Sequence, residues 1–435
     1  MGDEEFFEAC DRYGIMVWED FWLANPWDGP DPYHEDMFMA NARDFIRRLR
    51  QHPCMALYVG RNEGYPPQSL DQNLRQAIAE LYPQLGYIPN SAADGVIGGG
   101  RYRNMPVDWY FANQTHKLHS ERGMASVPSL ESVTRMLAPD ELWPVGEAWG
   151  RHDLTLGGAV HATAFNEILD GYWGRPQNVR QFISWGLWVN YDVHRVMFKG
   201  EQQFRKGLLM WMSHPCWPSM VWQAYDYYLE PTAAFFAIRK ACEPLHLQYN
   251  SEKNTIEVVD IAAGPHKVKA IAEYYDMNGQ QMAVDGRDVT IGEDQTITVM
   301  EGRKPLAGSH EVWFLRLKLL ENDKQLTENT YMLSNPAGHF EALKEQPEAR
   351  VKTVSHFTRK GEGWQAVVTL TNQSDVPALM VRLNLKGTDG GQVLPVSYSD
   401  NYFHLMPHEN KSVTLSWKEE YTRGCKPRIE VTTFN

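Results

Sequence analysis

The spacing of apolar residues changes once along this chain of 435 residues, near residue 245, and that change constrains the fold most strongly. Before it, short apolar runs such as Ile15–Trp18 and Met55–Val59 alternate with helical patterns such as Tyr33–Arg50. After it, apolar and polar residues alternate with period two. The first pattern predicts a parallel α/β sheet or barrel, and the second predicts antiparallel β-sandwiches.

Local signals refine the α/β part. Ser69 with Gln72 predicts a capping box, and Ser129 predicts the cap of a later helix. Further elements are a helix at Gln177–Lys199 and strands at Gly95–Ile97, Thr115–Ser120 and Leu208–Met212. The domains expected are residues 1–244, 245–336 and 337–435, with a linker at Ser334–Gly338. Each of the last two has the size of an immunoglobulin-like sandwich.

Predicted strands in the two sandwich domains have clear period-two patterns, and Asn278-Gly279 is a hairpin signal. The strands are Thr255–Ile261, Lys267–Tyr275, Thr296–Met300, His310–Leu320, Ala366–Thr371, Ala378–Leu385, Ser412–Trp417 and Arg428–Val431.

Composition excludes several classes of partner. The net charge of −13 provides no basic surplus for a nucleic acid. No apolar run reaches the ~18–20 residues that span a bilayer, so no membrane partner is expected. The five cysteines form no CxxC pair and the histidines lack ligand spacing, so no metal, cofactor or disulfide framework is predicted. An oligosaccharide or polysaccharide remains a suitable partner, and the oligomeric state stays open.

The segment His52–Glu63 (HPCMALYVGRNE) ends a buried strand in Asn62-Glu63. Polar residues at the carboxyl end of a barrel strand face the active site. A carboxyl group in apolar surroundings holds its proton more readily, as a general acid must. Glu63 is therefore a candidate acid, and the alternative is that it only caps the following loop.

The segment Lys117–Pro128 (KLHSERGMASVP) presents a second carboxylate, Glu121, beside Arg122. A retaining glycosidase needs two carboxyl groups ~5–5.5 Å apart, which two strand ends of one barrel can supply. Arg122 would keep Glu121 ionised, as a nucleophile requires. The alternatives are a surface Glu-Arg pair, or Glu131 as the functional acid, although Glu131 better suits a first helical turn.

An aromatic cluster surrounds the last predicted strand of the α/β part. Aromatic faces stack on the apolar faces of sugars, and ordinary core packing is the alternative for about half of these rings. Trp211 is the preferred sugar-stacking residue. The cluster contains Trp211, Trp217, Trp222, Tyr225, Tyr227 and Tyr228.

Several segments together resemble glycoside hydrolase family 2, nearest its β-mannosidase and exo-β-glucosaminidase branches. They are Phe6–Trp22, His52–Glu63, Lys117–Pro128, Trp211–Pro231, Glu243–Tyr249 and Ser399–Glu409. The resemblance implies a multidomain chain, with strands three to eight of a (β/α)8 TIM barrel before two immunoglobulin-like sandwiches.

The resemblance also implies a retaining β-glycoside hydrolase without a cofactor. Glu63 takes the place of the acid/base and Glu121 that of the nucleophile. Asn62 would hydrogen-bond the sugar 2-substituent. The other implied substrate-binding residues are Trp18, Asp20, Trp211 and Trp217.

The chain departs from the family pattern at Arg61 and at Ser213-His214, and it begins inside the barrel. A fragment or truncated gene product is therefore expected, whose parent enzyme would be periplasmic or extracellular like many relatives. Three alternatives stay open: a catalytically silent carbohydrate-binding fragment, a β-galactosidase or β-glucuronidase specificity, and a structural sandwich protein with an unrelated α/β domain. Sugar identity, linkage and exo or endo action also stay open.

Overall fold

The computed structural model describes residues 3–98, 102–113, 116–154, 162–200, 207–262, 264–303 and 311–435. They form two compact units. The first unit comprises residues 3–98, 116–122 and 207–210, and the second unit comprises the other described residues. None of the helices in this part of the chain has the length and apolar character needed to cross a membrane.

The described residues contain nine α-helices and twenty strands. The helices are α1 Glu4–Tyr13, α2 Glu35–Leu49, α3 Gln68–Leu81, α4 Val107–Ala112, α5 Leu130–Met136, α6 Glu147–Arg151, α7 Ala162–Trp173, α8 Val179–Lys199 and α9 Ala233–Ala241. The strands are β1 Val17–Asp20, β2 Met55–Arg61, β3 Gly86–Asn90, β4 Val96–Ile97, β5 Leu118–Arg122, β6 Leu208–Met210, β7 Leu245–Asn250, β8 Thr255–Asp260, β9 His266–Asp276, β10 Gln281–Ile291, β11 Gln295–Glu301, β12 Glu311–Glu321, β13 Lys324–Asn335, β14 Val351–Lys360, β15 Gly363–Asn372, β16 Ala378–Gly387, β17 Ser397–Tyr398, β18 Phe403–Leu405, β19 Asn410–Lys418 and β20 Pro427–Thr432.

The first unit contains two three-stranded sheets, ordered β1-β2-β3 and β4-β5-β6, and every strand pair in them is parallel. Helices α2 and α3 connect the strands of the first sheet and bury Phe45 and Leu74 with Phe7 and Tyr58. This core forms because the apolar residues of α2 recur at helical spacing on one face. Parallel pairing aligns the carboxyl ends of neighbouring strands, which is where the candidate carboxylates lie.

Two helix starts test the capping predictions. Ser129 precedes α5 and its side chain accepts a hydrogen bond from the Ser132 backbone N–H, as predicted. The capping box at Ser69 and Gln72 is wrong, because α3 begins at Gln68 after Pro67 without a side-chain cap. The Ser69 hydroxyl instead donates to Glu35 Oε2 at 2.8 Å.

Two antiparallel β-sandwiches lie in the second unit. One pairs the sheet β10-β9-β12-β13 with β11-β8-β7, and the other pairs β14-β15-β19-β17 with β18-β16-β20. Four and three strands suit an immunoglobulin-like arrangement. Asn278 and Gly279 form the turn between β9 and β10, with Gly279 at φ +82°. Strand β13 ends at Asn335 inside the predicted linker, and the predicted domain boundaries stay predictions.

Candidate active site

Glu63 lies in the turn directly after β2, which ends at Arg61. Its backbone has φ +44°, in the left-handed region that non-glycine residues rarely adopt. Its backbone N–H donates to the Ser91 Oγ at 2.8 Å. The side-chain Oε1 is buried and has no hydrogen-bond partner among the described residues. Such a buried acceptor is available to a ligand or to water.

Asn62 is linked to the same hydroxyl. Ser91 Oγ donates to Asn62 Oδ1 at 3.0 Å, so one serine contacts both members of the Asn62-Glu63 pair. The Asn62 backbone N–H donates to the Leu23 carbonyl at 3.1 Å. The carboxyl end of β2 is therefore held from the segment after β1 and from the segment after β3. Sequence reasoning missed Ser91, although the polar residues Asn90 and Ser91 lie at the carboxyl end of β3.

Arg61, one of the departures from the family pattern, has its side chain directed away from this pair. Its guanidinium is 4% exposed and pairs with Asp31 at 2.5 Å. The same group donates to the carbonyls of Ala24 and Gly29 at 2.8 and 3.1 Å. Arg61 therefore anchors the loop that follows β1.

Glu121 is half-buried on β5, between buried Ser120 and Arg122. Arg122 Nη1 lies 3.2 Å from His119 Nε2. A bulge between His119 and Arg122 interrupts the pairing of β5 with β6. The predicted nucleophile thus occupies the carboxyl end of one parallel strand, and Glu63 lies in the turn that follows another.

Gly98 lies close both to the segment after β3 and to β5. A Cβ atom at position 98 would lie 2.8 Å from Ala92 Cα and 2.8 Å from Ser120 Oγ. Ala92 follows Ser91, which contacts Glu63, and Ser120 precedes Glu121. The structure therefore connects the two candidate carboxylate positions, within the first unit, through a short series of close contacts.

Trp18 and Asp20 lie at the carboxyl end of β1. The Trp18 indole Nε1 donates to Asp20 Oδ1 at 2.6 Å. Burial raises the pKa of Asp20 to about 6, although this hydrogen bond opposes the shift. Burial also raises the pKa of the neighbouring Glu19 to about 7. The two predicted substrate-binding residues of β1 therefore contact each other.

Glu131 is engaged as a structural residue. Its carboxylate pairs with Arg382 and with Lys386, each at 3.1 Å. Burial opposes ionisation of Glu131, but these two cations outweigh it and lower the pKa of Glu131 to about 2. Glu131 lies in the first turn of α5, as its sequence position predicts. Its charge is balanced within the protein, so it lacks the free carboxylate that a nucleophile needs.

Trp211 and Trp217 belong to the second unit, where both rings are about two-fifths exposed. Trp217 stacks on His152, with ring centroids 6.2 Å apart. Trp211 has its carbonyl against Gly123, where a Cβ atom would approach that oxygen to 1.9 Å. Exposed, supported indole rings of this kind suit stacking on a sugar, and their role in binding stays a prediction.

One cluster has ligand types that metal ions use. Asp11, His52 and Cys54 place one ligand atom each within 4.8 Å of one another. Both His52 nitrogens already face carboxylates, Asp11 Oδ2 at 2.7 Å and Glu4 Oε1 at 2.8 Å. Burial, with Asp11 nearby, raises the pKa of the Cys54 thiol to about 12. The cluster is satisfied by its own hydrogen bonds and holds α1 against the start of β2.

A cavity of about 740 Å³ lies in the second unit and is lined by aromatic side chains and a buried ion pair. Its lining includes Tyr172, Asp192, Arg195 and Tyr331. Arg195 pairs with Asp192 at 3.0 Å and stacks on Tyr331. None of the predicted site residues line it.

Comparisons with known proteins find similar sequences and folds. Residues 329–435 match the exo-β-D-glucosaminidase Ig-fold domain. The exo-β-D-glucosaminidase of Streptomyces avermitilis is 24% identical over 99% of this chain and 54% of its own length. The mannosylglycoprotein endo-β-mannosidase of Lilium longiflorum is 24% identical over 99% of this chain and 58% of its own length. The chain thus spans a little over half the length of these relatives.

A solved structure of a glycoside-degrading enzyme also resembles this chain in fold. An exo-chitosanase of Amycolatopsis orientalis superposes with a TM-score of 0.91, at 21% identity, over 100% of this chain and 58% of that chain. This similarity shows that the two proteins share a fold. The curated relatives named above are similar to nearly the whole chain in sequence. These similarities confirm the predicted resemblance to the exo-β-D-glucosaminidase and β-mannosidase branches of glycoside hydrolase family 2.

Proposed function

We propose that the chain carries the catalytic part of a retaining β-glycoside hydrolase that acts on non-reducing β-linked sugars. The observation that carries this proposal is the series of close contacts within the first unit, which runs from Glu63 through Ser91, Ala92 and Gly98 to the residue before Glu121. Two carboxyl groups at the carboxyl ends of parallel strands suit double displacement. We also infer that the six parallel strands are strands three to eight of a (β/α)8 barrel.

In the first step, the Glu121 carboxylate attacks the anomeric carbon and forms a glycosyl ester. Glu63 gives its proton to the glycosidic oxygen as the bond to the leaving group breaks. In the second step, the Glu63 carboxylate takes a proton from water as that water attacks the anomeric carbon. The ester bond breaks, Glu121 regains its charge, and the released sugar keeps the β-configuration.

Sugar binding would also depend on further polar and aromatic side chains. Asn62 would hydrogen-bond the 2-substituent of the sugar, and Asp20, oriented by Trp18, would accept from a sugar hydroxyl. Trp211 and Trp217 would offer aromatic faces to sugar rings.

The names of the relatives favour β-mannosides or β-glucosaminides as substrates. They include exo-β-D-glucosaminidases and a β-mannosidase B, and one structure of the Amycolatopsis orientalis exo-chitosanase is a complex with PNP-β-D-glucosamine. A β-galactoside or β-glucuronide is the less favoured alternative.

Hydrolysis of a panel of aryl β-glycosides tests the proposal. We expect turnover of the mannoside or the glucosaminide by the unmodified chain, and a loss of at least about a thousandfold in Glu121→Gln, because the nucleophile is removed. Glu131→Gln is the matched control, since Glu131 contacts Arg382 and Lys386 instead.

Equal turnover by Glu121→Gln and the unmodified chain would defeat the assignment. Sugar binding by calorimetry without any hydrolysis would instead favour a carbohydrate-binding role.

A further inference from the structure

The hydroxyl of Ser91 lies between the two residues of the proposed acid/base segment. It accepts the Glu63 backbone N–H at 2.8 Å and donates to Asn62 Oδ1 at 3.0 Å. We propose that Ser91 is a positioning residue that fixes the orientation of the Asn62 amide and the backbone of Glu63. This inference rests on the proposed function and adds to it a residue that would not itself contact the sugar.

The donors and acceptors available determine the direction of both hydrogen bonds of the Ser91 hydroxyl. A backbone N–H can only donate, so the Ser91 oxygen must accept from Glu63. The single hydroxyl proton is then free for Asn62, whose carbonyl oxygen can accept it. Because Oδ1 and Nδ2 lie on opposite sides of the amide, Nδ2 is turned away from Ser91. Nδ2 makes no hydrogen bond with the described residues, so it is available as a donor to substrate.

Ser91 is itself well fixed. It is 2% exposed, and its backbone N–H donates to the Arg61 carbonyl at 3.1 Å. The preceding Asn90 accepts the Ala92 backbone N–H with its side chain at 2.8 Å. The hydroxyl therefore sits on a rigid strand end and can hold its two neighbours in place.

Glu63 needs such a restraint because its backbone is in an unfavourable region. A non-glycine residue at φ +44° persists when its surroundings fix it. Within the described residues, the Glu63 backbone N–H donates its hydrogen bond to Ser91. Without it, Glu63 is expected to relax toward ordinary backbone angles and move its carboxyl group away from the glycosidic oxygen. The described hydrogen bonds of the Ser91 hydroxyl involve Glu63 and Asn62, so the attack by Glu121 would be spared.

Leaving-group dependence separates this role from a general loss of structure. A phenyl glycoside needs a proton from the acid, whereas a 2,4-dinitrophenyl glycoside leaves without one. In Ser91→Ala we expect kcat/KM for the phenyl glycoside to fall about 30- to 100-fold, and that for the dinitrophenyl glycoside to fall less than about threefold. Ser251→Ala is the matched control, because the Ser251 hydroxyl is buried and has no partner among the described residues.

Equal losses on both substrates, or no loss on either, would overturn the positioning role. A crystal structure of Ser91→Ala provides a second test that needs no activity. We expect the Asn62 amide to change its orientation and the Glu63 backbone to change its φ angle. If both stay as in the unmodified chain, the inference is overturned. If the unmodified chain hydrolyses no glycoside, the proposed function fails, while this structural test still decides on Ser91.

Discussion

Glu63 and Glu131 show how surroundings divide acidic residues into different roles. Glu63 has an oxygen that is buried without a partner among the described residues, beside a strand end. Glu131 is held by Arg382 and Lys386, and its pKa is lowered to about 2. A general acid must hold and release a proton near neutral pH, which Glu131 cannot do. The contacts therefore favour Glu63 over Glu131.

Gly123 gives a prediction at the residue scale. A Cβ atom there would lie 1.9 Å from the Trp211 carbonyl oxygen, a backbone atom that cannot move aside as a side chain would. We expect Gly123→Ala to lower the free energy of unfolding by about 1–3 kcal/mol or more, measured by urea denaturation.

The matched control is Gly171→Ala in α7, where a Cβ atom would meet no atom within 4 Å. Because alanine favours the helix, this variant should be neutral or more stable by up to about 1 kcal/mol. A Gly123→Ala protein as stable as the control would contradict the close contact.

At the scale of elements, the strands that sequence reasoning missed share a position at the edge of a sheet. Strands β10, β13 and β14 are terminal strands in their sheets. Nine of the ten residues of β14 are exposed, so its sequence lacks the alternation of a half-buried strand. Internal strands such as β2 and β16 are buried and were predictable, because burial imposes the apolar pattern.

The cluster of Glu4, Asp11 and His52 predicts a pH dependence of stability. Hydrogen bonding to Asp11 and Glu4 raises the pKa of His52 above its usual value of 6.5. A raised folded pKa means that the stabilisation is complete below about pH 6.5 and is lost as the pH rises through the folded value. Burial opposes ionisation of Asp11, but bonds from Cys54 and His52 lower its pKa, so its contribution is lost only in acid.

We therefore expect His52→Gln to lower the Tm more at pH 5.5 than at pH 9. His356→Gln, at an exposed position of β14, is the control and should change the Tm little at either pH. An equal loss of Tm at the two pH values would show that the histidine acts only by packing, and a loss that grows toward pH 9 would contradict the raised pKa.

At the scale of the whole molecule, a buried ionic network joins the α/β part of the second unit to the carboxyl-terminal sandwich. Arg382 of β16 contacts two carboxylates, Glu131 of α5 and Glu230. Glu230 lies two residues after Tyr228, the last residue of the aromatic cluster. Glu230 also accepts from Ser129 and Gln392. Breaking such a network leaves uncompensated charges, which is costly in a buried site.

Arg382→Ala should lower the free energy of unfolding by about 3–5 kcal/mol, because Glu230 loses its cation and Glu131 keeps only Lys386. Arg428→Ala is the control, since Arg428 is exposed and meets Glu430 at 3.8 Å, which predicts less than about 1 kcal/mol. Calorimetry of both variants measures the difference. Similar small losses would show that the network does not hold the sandwich in place.

The sequence predicted site residues best where reactive polar side chains directly follow a buried strand. The strand before Asn62-Glu63 was predictable, because a buried apolar strand leads directly into polar residues. The segment around Glu121 had a weaker local signal, because β5 is mostly polar in sequence. Ser91 and the Arg61 anchor could not be predicted. Their roles depend on contacts across 28 and 30 positions, which no local pattern records.

Trapping of a covalent glycosyl-enzyme tests the central claim most directly. A 2-deoxy-2-fluoro glycosyl fluoride of the hydrolysed sugar slows the second step, so the first-step ester accumulates and can be located by peptide mass spectrometry. The account predicts one sugar per chain, attached to Glu121. Attachment to another carboxylate, or substrate turnover without any attached sugar, would contradict it.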